Sequence, residues 1–127
     1  MKIEKFEDIE VWKLSRELTK SIYKATRYPL FAKDWGLKDQ ITRASGSDMH
    51  NIAEGFSSGS DAEFRRFLRY AQRSCSEVQS ELYVALDQKY ISNTEFDELY
   101  KQASQTQSSI GGFIKYLNSS IKYQTKK

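Results

Sequence analysis

A chain of 127 residues with 20 Lys+Arg, 17 Asp+Glu and a net charge of +3 has the size of one domain, long enough for a real core and too short for two. The small basic excess permits a nucleic-acid or other acidic partner without requiring one. A single cysteine, Cys75, excludes an internal disulfide and a self-sufficient zinc site and fits a reducing compartment. No apolar run approaches the ~18 residues of a membrane span, and the opening MKIEKFEDIEVW lacks the apolar stretch of a secretory signal. The expectation is a soluble cytoplasmic protein with no membrane contact. One proline and six glycines leave few places for sharp turns, which favours a few long helices.

The first helix is expected over about residues 9–26, where Val11, Leu14, Leu18, Ile22 and Ala25 recur at steps of three and four. Asp8 is placed to cap its start, and Pro29 forbids its continuation. A second helix opens at Trp35 behind Asp34 and runs to about 54, with Gly55 as the residue best able to take the left-handed conformation that ends a helix. After the loop GFSSGS, a third helix covers about 61–90. Ser60 and Glu63 stand at capping-box spacing, and Phe64, Leu68, Ala71, Cys75, Val78, Leu82 and Ala85 form a seam with alternating steps of four and three. Ser92 and Glu95 repeat the box before a fourth helix over about 94–121, ahead of the basic tail KYQTKK.

Four helices joined by short loops pack antiparallel, which gives an all-α, up-and-down four-helix bundle spanning 1–127 as one domain. Such a bundle is a rod with much lateral surface. Phe67, Tyr70, Tyr83, Tyr100, Ile114, Tyr116 and Ile121 lie beside the main seams, where they either mark self-association or only widen the core stripe.

Catalytic patterns are poor. His50 is the only histidine, and no Ser/His/Asp, Cys/His or HExxH arrangement can be assembled. His50 and Glu54 share a helical face, but two ligands rarely make a metal site. Cys75 sits on the apolar seam, where a thiol acts as a small hydrophobe. GFSSGS lacks the lysine and the strand that a phosphate-cradling loop needs. No enzyme activity, metal or cofactor is expected.

Basic residues are more suggestive. Arg65, Arg66, Arg69 and Arg73 fall within nine residues of the third helix. Asp61, Glu63 and Glu77 stand at pairing distance in sequence from Arg65, Arg66 and Arg73, whereas Arg69 has arginines four away on both sides. Lys13, Arg16, Lys20, Lys24 and Arg27 lie on the outer side of the first helix. Scattered basic residues more often make a solvated face than a binding surface. In the second helix, Arg43, Ser47, His50, Asn51 and Glu54 fall along one stripe beside the seam of Leu37, Ile41 and Ala44. A carboxylate in the last helical turn opposes the helix dipole, so Asn51 and Glu54 are expected to form a hydrogen-bonded joint that fixes helix pairing.

The segments FEDIEVWKLSREL, DQITRASGS, NIAEGF, EFRRFLRYA and SELYVALDQKYI, in this order, resemble the 23S rRNA intervening-sequence protein family. Its relatives include the accessory variability determinant of diversity-generating retroelements. The resemblance covers about residues 5–120. It implies a small cytoplasmic bacterial four-helix bundle assembled as a ring-like homopentamer, with the retroelement relatives binding nucleic acid and a reverse transcriptase through basic surface. The family motif carries over onto Arg43, Asn51, Glu54, Gly55, Glu63, Phe64 and Ser74. This sequence departs from it at Asp48, usually apolar, at His50, usually small polar or acidic, and at Arg73, usually glycine.

The function expected from the sequence is a non-enzymatic, homo-oligomeric module that binds RNA or DNA by phosphate contacts without base specificity, with Arg65, Arg66, Arg69, Arg73, Lys13, Arg16, Lys20 and Lys24 as candidates. The alternative is a protein-interaction scaffold with no nucleic-acid role, whose complex with a protein partner would survive nuclease and high salt.

Overall fold

The computed structural model describes residues 3–125, and side chains as far as residue 119. A single 3-10 turn, Phe6–Asp8, leads into α1 (Glu10–Ala25), a short α2 (Pro29–Lys33), α3 (Trp35–Ser57), α4 (Asp61–Asp87) and α5 (Asn93–Thr125), with no strand among the described residues. The fold is all-α, and four of the five helices are long. α3 packs against α1 and α4, and α5 packs against α4 and α1. The long helices therefore stand around a square, with α1 and α4 across one diagonal. Cross-helix hydrogen bonds fix the directions. Thr19 meets Ser45, Ser47 meets Ser74, and Gln72 meets Gln107 while Gln79 meets Ser104. From 72–107 to 79–104 one number rises as the other falls, and the same holds for α3 and α4, where Ser47 meets Ser74 but Gly55 abuts Phe67 and Phe64, so these neighbours run antiparallel.

The core is the expected set of seams. Leu18 and Ile22 from α1, Ile41 and Ile52 from α3, Leu68, Val78 and Leu82 from α4 and Ile110 from α5 have no exposed surface. Side chains beside the seams are better covered than expected. Phe67, Tyr70 and Tyr100 are half-buried and Ile114 is buried, which leaves Tyr83 and Tyr116 exposed; the side chain of Ile121 lies outside the described residues.

Several helix ends differ from expectation. Asp8 does not cap α1; it belongs to the 3-10 turn, and the N-cap position is Ile9, whose side chain has no oxygen to offer. Pro29 does stop α1, and it then starts α2 as its first residue, where its missing N–H costs nothing. α2 puts Phe31, fully buried, against Tyr90 with ring centroids 5.4 Å apart. Asp34 secures this end of the bundle twice. Its Oδ1 accepts from the Leu37 N–H at the start of α3, and its Oδ2 accepts from the Tyr90 hydroxyl.

Ser92 and Glu95 form the complete reciprocal capping box. At α4 the Ser60 hydroxyl accepts from the Glu63 N–H, but the Glu63 carboxylate turns to Arg66. α5 continues to Thr125, beyond the expected end near 121; Lys126 and Lys127, the last of the expected basic tail, lie outside the described residues.

Gly55 is the clearest correction. It does not end its helix: α3 runs on to Ser57, and the glycine with positive φ is Gly59. A Cβ on Gly55 would lie 2.7 Å from the Phe67 Cβ and 3.0 Å from the Phe64 ring. The residue is glycine because α4 crosses α3 at that point with no room for a side chain.

Candidate nucleic-acid interface

The structure divides the candidate basic residues into two sets at opposite corners of the bundle, because α1 and α4 are not neighbours. On α1, Arg16, Lys20 and Lys24 line one open groove together with Arg27, Glu17, Thr19, Ser21, Tyr23 and Met49 of α3. Steps of four keep Arg16, Lys20 and Lys24 on one side of the helix, over ~12 Å of its length, and Arg27 follows in the turn after its end. Neutralisation within the groove is slight. Glu17 reaches Lys20 at 3.6 Å, but both side chains are more than 60 % exposed, where such a pair is worth only a few tenths of a kcal/mol. The Arg16 guanidinium lies 5.8 Å from the centroid of the Trp12 ring. Lys13 stands apart: it pairs loosely with Glu10 at 3.9 Å and lines a different hollow, with Phe113 and Tyr116 of α5.

The α4 set is more engaged. Arg66 binds Glu63 at 3.2 Å and lies over the Phe67 and Tyr70 rings. Arg73 also lies over Tyr70, 5.1 Å from its ring centroid. Arg65 is half-buried, and its Nη1 is enclosed without a hydrogen-bond partner. The pairs Asp61–Arg65 and Arg73–Glu77 do not form. Arg69 and Arg73 share a shallow hollow with Gln72, Ser76 and Gln107 at the α4/α5 edge.

The polar stripe of α3 is also redistributed. Arg43 is exposed and bound to Asp39 of its own helix at 3.0 Å. Asn51 donates through its amide to the carbonyl and hydroxyl of Ser47, one turn back. Glu54 is exposed. Within the chain, then, Asn51 and Glu54 do not make the joint between helices that their stripe suggested. Together with Arg43, His50 and Tyr23 they line a second groove along the α1/α3 edge. The joint itself is made by Ser47 of the stripe, whose hydroxyl accepts from the Ser74 hydroxyl at 3.1 Å as well as from Asn51, and by Asp48 one residue on, whose Oδ2 accepts from the Cys75 thiol at 2.8 Å.

Asp48 has no exposed surface, and its Oδ1 has no hydrogen-bond partner. Burial pushes its pKa up to about 7 against a small opposing pull from the thiol, so the proton is retained well above the ordinary carboxylate range. Burial first, and the Asp48 charge second, raise the Cys75 thiol and keep it an unreactive S–H. No three His, Cys, Asp or Glu side chains come together to hold a metal among the described residues, and no described helix is long and apolar enough to cross a membrane.

A bundle of this topology, with an open basic groove on one edge, defines a class of small helical proteins rather than a single activity. The chain matches the model of the 23S rRNA-intervening sequence protein family over residues 7–112, and it belongs to that family. It is also similar in structure to a protein of unknown function from the S23 ribosomal protein family of Bacteroides thetaiotaomicron VPI-5482, solved at 1.70 Å resolution. That likeness has a TM-score of 0.75 at 23 % identity and covers 83 % of this chain and 98 % of the other; at such identity it shows a common fold. Among curated proteins none matches the chain.

One groove residue escaped the sequence argument. Tyr23 is 45 % exposed and borders both α1/α3 grooves. Its signal was present: it follows Ile22 directly, off the apolar seam, and sits between Lys20 and Arg27.

Proposed function

We propose that this chain is a non-enzymatic, cytoplasmic helical module that assembles with copies of itself and binds RNA or DNA through phosphate contacts, without base specificity. The observation that carries this proposal is the line of Arg16, Lys20, Lys24 and Arg27 along one groove with a single acid, Glu17, among them. Cations in a row can follow a phosphate backbone, and the release of its condensed counterions supplies affinity that does not depend on sequence. The α4 arginines, of which Arg66 and Arg73 are folded over Phe67 or Tyr70, make a secondary surface. Self-association is supported by Trp35 at 78 % and Leu30 at 57 % exposure near one end of the bundle, larger apolar side chains than a lone domain usually leaves wet. The fivefold ring implied by the family resemblance is the assembly we propose.

The test is a titration of structured RNA at low salt, with the assembly state followed by light scattering. The double variant Lys20→Glu/Lys24→Glu is expected to lose roughly tenfold or more in affinity with its mass in solution unchanged. Arg69→Glu/Arg73→Glu should lose less. Absence of binding by the unaltered protein would overturn the nucleic-acid role, and a loss confined to the α4 variant would move the interface to the opposite corner.

A further inference from the structure

We infer that the α1/α3 edge is built for a single strand, with Tyr23 as a stacking platform for an unpaired base. This rests on the nucleic-acid role proposed above and specifies the form of the ligand. Tyr23 forms the boundary between two grooves of unlike charge. On its α1 side stand Arg16, Lys20, Lys24 and Arg27. On its α3 side stand Asp39 and Glu54, with Arg43 already bound to Asp39.

A phosphate is attracted to the first groove and repelled by the free carboxylate of the second. A strand lying along α1 therefore has its backbone held on the basic side and its bases directed over the ridge. The group that meets them there is an aromatic ring. Most other exposed or half-exposed rings are engaged with one another: Phe67 with Tyr70, Tyr83 with Phe96 and Tyr100, Phe113 with Tyr116; Tyr28, half-buried and without a ring partner, lies beside Glu95 and Glu98, where a phosphate is repelled. Tyr23 forms no such pair among the described residues, and no arginine or lysine covers it, whereas Trp12, Trp35 and Tyr70 are each covered by a cation. Its ring is left open to stack on a base, a contact that any base satisfies. A duplex keeps its bases stacked inside and offers this ring nothing.

Fluorescence anisotropy with three labelled probes of equal length separates the outcomes: an oligothymidine of roughly twelve nucleotides, the same strand without bases, and a duplex. The protein should bind oligothymidine roughly tenfold more tightly than the abasic strand or the duplex. Tyr23→Leu should bring oligothymidine down to the abasic level while leaving abasic binding unchanged, and Tyr23→Phe should keep the preference. Equal binding of oligothymidine and abasic strand by the unaltered protein, or a preference that survives Tyr23→Leu, overturns the inference and leaves the phosphate-binding role standing. No binding of any probe overturns both. Helical circular dichroism of the variants excludes misfolding as the cause of a loss, and Tyr23→Phe checks it independently.

Discussion

Asp48 is a carboxyl with no exposed surface, one thiol partner and one orphan oxygen. Such a group is tolerated because it keeps its proton up to about neutral pH, ionisation being costly where neither solvent nor a cation among the described residues meets the charge. Its pKa rises from 3.8 to about 7 on folding. The folded state therefore binds more protons than the unfolded state between those values, so the stabilisation is fully present below about pH 4 and is lost as pH rises through about 7. Glu81, with Oε1 enclosed and unpartnered, is raised to about 7 by burial first and by Glu77 second, and it acts in the same direction. Asp34 and Glu95 act oppositely. Backbone N–H donors at Leu37 and Ser92 are the main cause of their lowered pKa values, so their contribution is present above about pH 4 and is lost in acid. Denaturant unfolding should thus find the protein roughly 2–4 kcal/mol more stable at about pH 5.5 than at pH 8, and Asp48→Asn should remove about half of that difference or more, Glu81 accounting for the rest. A flat profile between those two pH values for the unaltered protein would refute the assignment. The sequence marked Asp48 as a departure at a packing position but could not name Cys75 as its partner, because the contact joins residues 27 apart on two helices.

At the scale of the element, two glycines in α3 behave oppositely. Gly55 has Phe67 and Phe64 pressed against the place a Cβ would take, whereas Gly46 has only the movable His50 ring, at 3.8 Å. Replacing a helical glycine by alanine gains roughly 1 kcal/mol of propensity at either position. At Gly55 the forced separation of α3 and α4 outweighs the gain, since overpacking costs about 1–3 kcal/mol and these contacts include a Cβ that cannot move without its helix. Thermal unfolding should show Gly46→Ala more stable than the parent and Gly55→Ala less stable; equal effects would mean the helices can part freely. Here sequence reasoning and structure diverge for a definable reason. Glycine serves both helix ends and close crossings, and only knowledge of what crosses there tells one from the other. Capping signals with an explicit acceptor fared better. Asp34 and the Ser92/Glu95 box act as their spacing predicts, while Asp8 fails because the preceding 3-10 turn moves the start of α1 past it.

The whole molecule shows what periodicity can and cannot supply. Steps of three and four located the four long helices and nearly all of the core, and short loops then required antiparallel packing. The order of helices around the square was not in the pattern. That order places Arg16, Lys20 and Lys24 and the arginines of α4 at diagonal corners, so the candidates of the two helices do not merge into one interface but make two surfaces in space, with Lys13 in neither. It also assigns α1 and α3 a shared edge, where Tyr23 borders the residues of the family motif.

The central claim is that the α1 groove holds phosphates, and it is tested most directly by the salt dependence of binding. Each phosphate contact contributes about 0.7–0.9 to the slope of log affinity against log salt concentration. The slope of the unaltered protein should be steep, and Lys20→Ala/Lys24→Ala should make it shallower by roughly 1.4–1.8. A slope unchanged by that double substitution would place the phosphates elsewhere and contradict the account.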